Sequence, residues 1–234
     1  MIKKMFSKKD RILIIVAHPD DEVLGCGGTI LKARSIGAHV SVLFFGEGVS
    51  TRFPGKEDSK KCLNSINERE KSAYKCLKKL DVHDYRFYKH LCTKFDTYPL
   101  VNFVRLIEDK IKLFKPNIIF THNKNDINID HGIVYDATEI ACRPLKTSKI
   151  ESIYTFEVPC SSNFKFNKLF QPNVYINIKK YFRKKLSALM CYQKEIKKYP
   201  HPRSTQGVII QNKYRGLQSG LEYAEAFELK RLIV

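Results

Sequence analysis

The sequence predicts an α/β fold: a mainly parallel sheet with helices on both of its faces. Strand and helix patterns alternate for most of the 234 residues, the strands are short apolar runs of the buried kind, and ionisable residues cluster directly after two of them. Residues 12–17, Ile-Leu-Ile-Ile-Val-Ala, form the first strand, which stops at His18, Asp20, Asp21 and Glu22. A helix over 23–36 follows and ends at Gly37, and 39–45 is a second buried strand. The Gly-rich loop 46–55 comes next, expected to be mobile or to touch a ligand at the same sheet edge as the first cluster. Residues 64–80 read as an amphipathic helix carrying Ile66, Ala73, Leu77 and Leu80, and 85–88 as a short strand.

Val101, Val104, Ile107, Ile111 and Phe114 recur at the three-or-four spacing of a helix over 98–114, closed by Pro116. Residues 117–121 are another buried strand. The stretch from His122 to His131 after it is the second concentration of polar chemistry, and a helix over 132–143 then runs to Pro144. Strands are expected at 152–158 and 174–178, and one long helix at 179–199 with Phe182, Leu186, Leu189, Tyr192 and Ile196 on its apolar stripe. No repeat, low-complexity linker or boundary divides the chain, so 1–234 is expected to be a single domain.

A hydrophobic content of 43% supplies a sizeable core and excludes disorder of the whole chain. The formal net charge of +18 raises a nucleic-acid reading. The basic residues are nevertheless spread in pairs such as Lys60 and Lys61, with one denser run from Lys179 to Lys185, which is the distribution of solvated helix faces. The expectation is therefore no nucleic acid, with peripheral contact to an anionic surface left open. Seven cysteines, an odd set without a Cys-x-x-Cys pair, predict reduced thiols and a cytoplasmic protein. No apolar run approaches the roughly 18 residues of a transmembrane helix, and none has the form of an export signal.

His18 and Asp21 are three apart, so one turn can bring an imidazole and a carboxylate to one metal ion. His131 also follows a predicted strand, and parallel strands bring both loops to one end of the sheet. Three protein ligands with an open fourth position make a catalytic zinc site, the expected cofactor being Zn2+. Asp20 lies between two ligands and is free to take a proton from the activated water. Asp130 reads either as an N-cap or as a group that fixes a histidine tautomer or orients substrate, and the two are compatible. Glu22 is expected to complement the helix dipole, and Cys26 to be packing.

Ala17-His18-Pro19-Asp20-Asp21-Glu22, with Gly27-Gly28-Thr29 soon after, resembles the signature of the PIG-L or LmbE-like zinc-dependent de-N-acetylases. Asn125-Asp126-x-Asn128-x-Asp130-His131 resembles that family's second metal motif, and Tyr223-Ala224-Glu225-Ala226-Phe227 its C-terminal signature. Residues 48–52 and His201-Pro202-Arg203-Ser204 also fit. The resemblance implies a Rossmann-like (LmbE-like) three-layer sandwich, zinc on His18, Asp21 and His131, and Asp20 as general base. It implies hydrolysis of an N-acetyl group from an amino sugar or sugar conjugate, in cell-envelope glycan synthesis. Arg52 matches a family arginine near the substrate, where Asp130 is also expected. Because members often assemble, a homo-oligomer is expected, with the C-terminal segment as a contact.

One departure stands out. Many members carry a second histidine three residues before the metal-binding one, supporting the oxyanion, and this chain has Asn128 there. An amide donates a hydrogen bond but cannot act as an acid. His122 and His201 are the candidates for a cationic donor, with a structural or solvent-facing role as the competing reading of each. The alternatives to an amino-sugar deacetylase are a small-thiol pathway deacetylase or other amidase, and a catalytically silent binder of anionic glycan or nucleic acid.

Overall fold

The computed structural model describes residues 5–146, 148–166 and 170–234. Among these residues seven strands form one sheet: β1 (Arg11–Val16), β2 (His39–Gly46), β3 (Asp84–His90), β4 (Ile118–His122), β5 (Ser152–Phe156), β6 (Val174–Asn177) and β7 (Ala224–Leu232), in the spatial order β3-β2-β1-β4-β5-β7-β6. The first five pair in parallel, while β7 runs antiparallel to both β5 and β6. The sheet is thus mainly parallel, as expected, with an antiparallel edge built from C-terminal strand β7, which the sequence reading did not identify as a strand.

Among the described residues six α-helices cover the sheet: α1 (Asp21–Ile36), α2 (Lys60–Lys79), α3 (Leu100–Phe114), α4 (Ile129–Ala141), α5 (Phe182–Leu189) and α6 (Thr205–Leu217). Strand β1 is buried on both faces: Ile12, Ile14 and Val16 join a core with residues of α1, α2, α5 and α6, while Leu13, Ile15 and Ala17 join one with α3 and α4. That period of two sets the three layers. Connections leave β1 toward β2 and β4 toward β5, so the strand order reverses between β1 and β4. In open α/β sheets the crevice at such a reversal, at the strands' carboxyl ends, is where ligands bind. Among the described residues no helix is long and apolar enough to cross a membrane.

The long helix expected at 179–199 is instead broken. A 3-10 turn at Lys179–Tyr181 leads into α5, and a second 3-10 stretch at Met190–Glu195 carries a non-helical Tyr192 (φ −95°, ψ 46°). The cause is tertiary: Tyr192 is buried and its hydroxyl donates to Glu22 at 2.7 Å. The loop after β2 is pinned by Glu47, whose carboxylate accepts the amides of Val49, Ser50 and Cys92.

Glu225 on β7 gives the C-terminal motif a structural task. Its two oxygens accept the mid-helix amides of Gly28 (2.8 Å) and Thr29 (2.7 Å) in α1. Buried Lys185 of α5 pairs with the same carboxylate at 2.7 Å and donates to the Leu24 carbonyl at 3.0 Å. Leu24 and Gly28 are one helical turn apart, so the ion pair bridges groups that a plain helix would bond to each other. Glu225→Gln leaves a buried ammonium without its charge partner, and the expected cost is about 3–5 kcal/mol. Urea unfolding of the two proteins measures it.

Candidate metal centre

Strand β1 ends in the loop that carries His18 and Asp20, and α1 starts at Asp21. On the neighbouring strand, β4 ends at His122 and α4 begins at Ile129, which puts His131 in its first turn. The predicted ligands therefore meet at the crevice. One donor atom each from His18, Asp21 and His131 lies within 4.8 Å of the others, and all three residues are buried. His131 Nε2 is 3.4 Å and His18 Nδ1 3.7 Å from Asp21 Oδ2.

Several of these atoms are orphans. Asp21 Oδ1 and His131 Nε2 are fully buried without a hydrogen-bond partner, which is costly for polar groups unless something else satisfies them. A carboxylate and an imidazole with unsatisfied atoms, beside a second imidazole whose Nδ1 stands 3.7 Å from the same carboxylate, fit a divalent cation of the zinc type. Each histidine is backed by an acid on its far side: His18 Nε2 meets Asp130 Oδ2 at 2.9 Å, and His131 Nδ1 meets Asp126 Oδ2 at 3.1 Å. Such carboxylates set the tautomer and aim the free nitrogen at the metal position. Burial alone would lower His131, but Asp21 and Asp126 outweigh it and raise it to about 9. Burial would likewise raise Asp21, yet His131 holds it well below the usual carboxylate range.

Asp130 does not cap α4; Asn128 does, its Oδ1 accepting the Asp130 amide at 3.0 Å. Asp130 is wholly buried, and its oxygens accept the amides of Thr93 (2.6 Å) and Phe95 (3.2 Å) as well as facing His18. Its surroundings suit orientation of His18 and leave no exposed oxygen for substrate. Gly46 at the end of β2 makes room for this arrangement, because a Cβ there would stand 2.8 Å from Phe95 and 3.1 Å from His18.

Asp20 is aimed differently from Asp21. Its backbone is left-handed (φ 116°, ψ −24°), a conformation that costs a non-glycine residue roughly 1–3 kcal/mol and persists where neighbours enforce it. The enforcers are Glu22, which accepts the Asp20 amide at 2.9 Å, and Arg69 of α2. Arg69 Nε donates to the Pro19 carbonyl at 2.8 Å and Nη2 pairs with Asp20 Oδ2 at 3.0 Å. Asp20 Oδ1 is left buried and without a partner. Burial pushes Glu22 up to about 7, so its place under Asp20 is more than that of a helix-dipole acid.

The remaining predicted residues are placed unequally. Arg52 does not reach the ligands; it pairs with Glu195 at 2.5 Å, which also pairs with Arg69, and it borders a cleft of about 990 Å³ beside α2. His122 is sealed: its Nε2 accepts the Ala17 amide at 2.8 Å, its ring stacks on His131, and burial together with His131 lowers it to about 3. It is therefore neutral, a structural support and not a cationic donor. His201 stands off the centre, with Nδ1 accepting the Arg203 amide at 3.0 Å and Nε2 3.9 Å from Cys160 Sγ.

Two arginines beside the aspartates went unassigned from sequence. Arg69 gave no signal, since a basic residue on a lysine-rich helix reads as a solvated face. Arg203 lay inside the motif around His201, and its guanidinium comes within 3.7 Å of Asp20 Oδ2 and 3.9 Å of Asp21 Oδ1.

The PIG-L family model, described as GlcNAc-PI de-N-acetylase, matches residues 13–142. Uncharacterized deacetylase YaiS of Escherichia coli K12 is 28% identical over 189 residues, 78% of this chain and 90% of that protein. Among solved structures, the N,N'-diacetylchitobiose deacetylase of Pyrococcus horikoshii superposes with a TM-score of 0.74 at 18% identity, covering 94% of this chain and 83% of that one. GalB, the 4-carboxy-2-hydroxymuconate hydratase of Pseudomonas putida KT2440, does so with 0.74 at 17% identity, covering 96% and 98%. One fold thus carries different reactions, and the reaction here has to be read from the site.

Proposed function

This chain belongs to the PIG-L, GlcNAc-PI de-N-acetylase, family, and on that premise we propose that it is a zinc-dependent hydrolase that removes the acetyl group from an N-acetylated amino sugar or sugar conjugate. The observation that carries the reading is the division between adjacent aspartates: Asp21 lies with His18 and His131, while Asp20 is held by Arg69 through Oδ2 and keeps a buried, partnerless Oδ1. A metal site alone serves many reactions; a metal site with a separate, immobilised carboxylate beside it suits hydrolysis.

When bound by His18, Asp21 and His131, a zinc ion supplies a Lewis acid for the amide carbonyl and a means of acidifying water. The chain's own residues do the rest. Asp20 Oδ1 takes a proton from the attacking water and passes it to the amine nitrogen as the C–N bond breaks. Arg69 holds Asp20 Oδ2, so the carboxylate keeps one face toward the reaction. Asp130 and Asp126 keep the two ligand imidazoles in the tautomers that leave a lone pair toward the metal. Arg52, with 44% of its side chain exposed, is the residue we assign to hydroxyl or acidic groups of the sugar.

A panel of N-acetyl sugars and sugar conjugates, read by appearance of free amine with the zinc-loaded protein, tests this. The expected result is turnover of at least one member. No amine from any of them, with one zinc bound per chain, sinks the proposal.

A further inference from the structure

We propose that Arg203 is a catalytic residue of this chain, whose guanidinium binds the acetyl carbonyl oxygen as negative charge develops on it and then the carboxylate of the departing acetate. The proposal rests on the deacetylase reading above and supplies the group that the Asn128 departure leaves missing.

The candidate hydrogen-bond donors differ in what they have left to give. Arg69 is 6% exposed and engaged with the Pro19 carbonyl, Asp20 and Glu195. His122 is sealed under His131, with its Nε2 taken by the Ala17 amide. Asn128 uses its oxygen to cap α4, and its amide nitrogen carries no charge. Arg203 alone among them combines a fixed charge, 24% side-chain exposure and a guanidinium whose contacts to Asp20 and Asp21 stay at 3.7 and 3.9 Å, longer than hydrogen bonds. A mostly buried guanidinium with uncommitted donors, next to the catalytic carboxylate, is ready for an anionic or developing-anion partner.

The loop that bears it is preformed. The Arg203 amide donates to His201 Nδ1, the Ser204 amide to the His201 carbonyl at 2.9 Å, and the Ser204 hydroxyl accepts the Gly207 amide at 2.9 Å to cap α6. Gly207 is required for that closeness, since a Cβ there would stand 2.5 Å from the Pro202 carbonyl oxygen. Such fixed geometry lets a donor stabilise charge without reorganising during the reaction.

In the hydrolysis, the water oxygen bonds to the acetyl carbon, one of its protons goes to Asp20 and then to the amine nitrogen as the C–N bond breaks, and its second proton passes from the nascent acetic acid to the released amine, giving ammonium and acetate. The charge first gathered on the carbonyl oxygen ends on acetate. A planar guanidinium can follow it, with one N–H on the oxyanion and two on the carboxylate.

The test compares wild type, Arg203→Ala and Arg203→Lys as zinc-loaded proteins, with acetate as the binding probe in calorimetry. For Arg203→Ala the expected result is unchanged zinc content, acetate affinity weakened at least tenfold, and kcat lowered about 10²–10³-fold with a smaller change in KM. Free guanidinium should restore part of the alanine variant's rate while leaving wild type unimproved; Arg203→Lys should fall between. Acetate affinity and kcat within twofold of wild type in Arg203→Ala overturn the proposal. A loss repaired neither by guanidinium nor in Arg203→Lys overturns it too. If wild type releases no amine from any substrate, the deacetylase reading fails, and the acetate comparison still decides whether Arg203 binds the anion.

Discussion

Asp20→Asn keeps its zinc and loses about 10²–10⁴-fold in kcat, the range that a positioned general base contributes. The substitution changes little else, because Asn has the shape of Asp and the surroundings choose its orientation. Arg69 Nη2, 3.0 Å from the present Oδ2, accepts only an oxygen as neighbour, so the amide oxygen takes that place and the NH2 group replaces the partnerless Oδ1. A donor then stands where an acceptor is needed. The Asp20 backbone, held by Glu22, has no reason to move. Elemental analysis of the purified variant, together with amine release, checks both halves of the expectation. Loss of zinc with loss of rate would show that Asp20 is a ligand and not the base.

His131→Ala gives the opposite pattern: zinc occupancy falls away, and the thermal response to zinc goes with it. Wild type at a free zinc concentration 100-fold above its Kd gains about 2.7 kcal/mol by mass action. For a chain of this size that corresponds to a rise of about 5–11 °C in Tm. Without His131, the proposed ligand set is reduced to Asp21 and His18, too few for a stable zinc site, while His122, also 3.5 Å from Asp21 Oδ2, has its Nε2 taken by the Ala17 amide. Differential scanning calorimetry with and without zinc, on both proteins, measures the shift. An equal rise in the variant would remove His131 from the ligand set.

Much of the fold could be read from sequence because its evidence is local. Strands β1, β2 and β4 are short, mostly apolar runs, and α3 repeats its apolar residues at helical spacing, so each announces itself without reference to the rest. The proposed ligands were legible for the same reason: each sits at the end of such a strand, where a parallel sheet gathers polar loops. The elements that were misread depend on distant partners. The stripe from Phe182 to Ile196 has helical spacing, yet Tyr192 leaves the helix to reach Glu22, which lies 170 residues away in the chain. Strand β7 is split between charged and apolar residues because Glu225 is needed inside, against Lys185 and α1.

The site shows the same division. His18, Asp21 and His131 are identified by type and spacing, whereas Arg69 becomes meaningful only when α2 is folded against the Pro19-Asp20 turn. His122 shows the converse case. A histidine beside a metal motif invites a chemical role, but its place at the end of β4, under His131 and against the Ala17 amide, commits its Nε2 as an acceptor and leaves the N–H on Nδ1 buried without a partner.

Hydrolysis of an N-acetylated sugar by the zinc-loaded protein in oxygen-18 water, with the acetate analysed by mass spectrometry, tests the central claim most directly. Attack by water assisted by Asp20 puts one labelled oxygen into each acetate released, with one free amine formed per acetate, and Asp20→Asn forms neither at a comparable rate. Amine release without labelled acetate, or labelled acetate formed equally fast by Asp20→Asn, would contradict it.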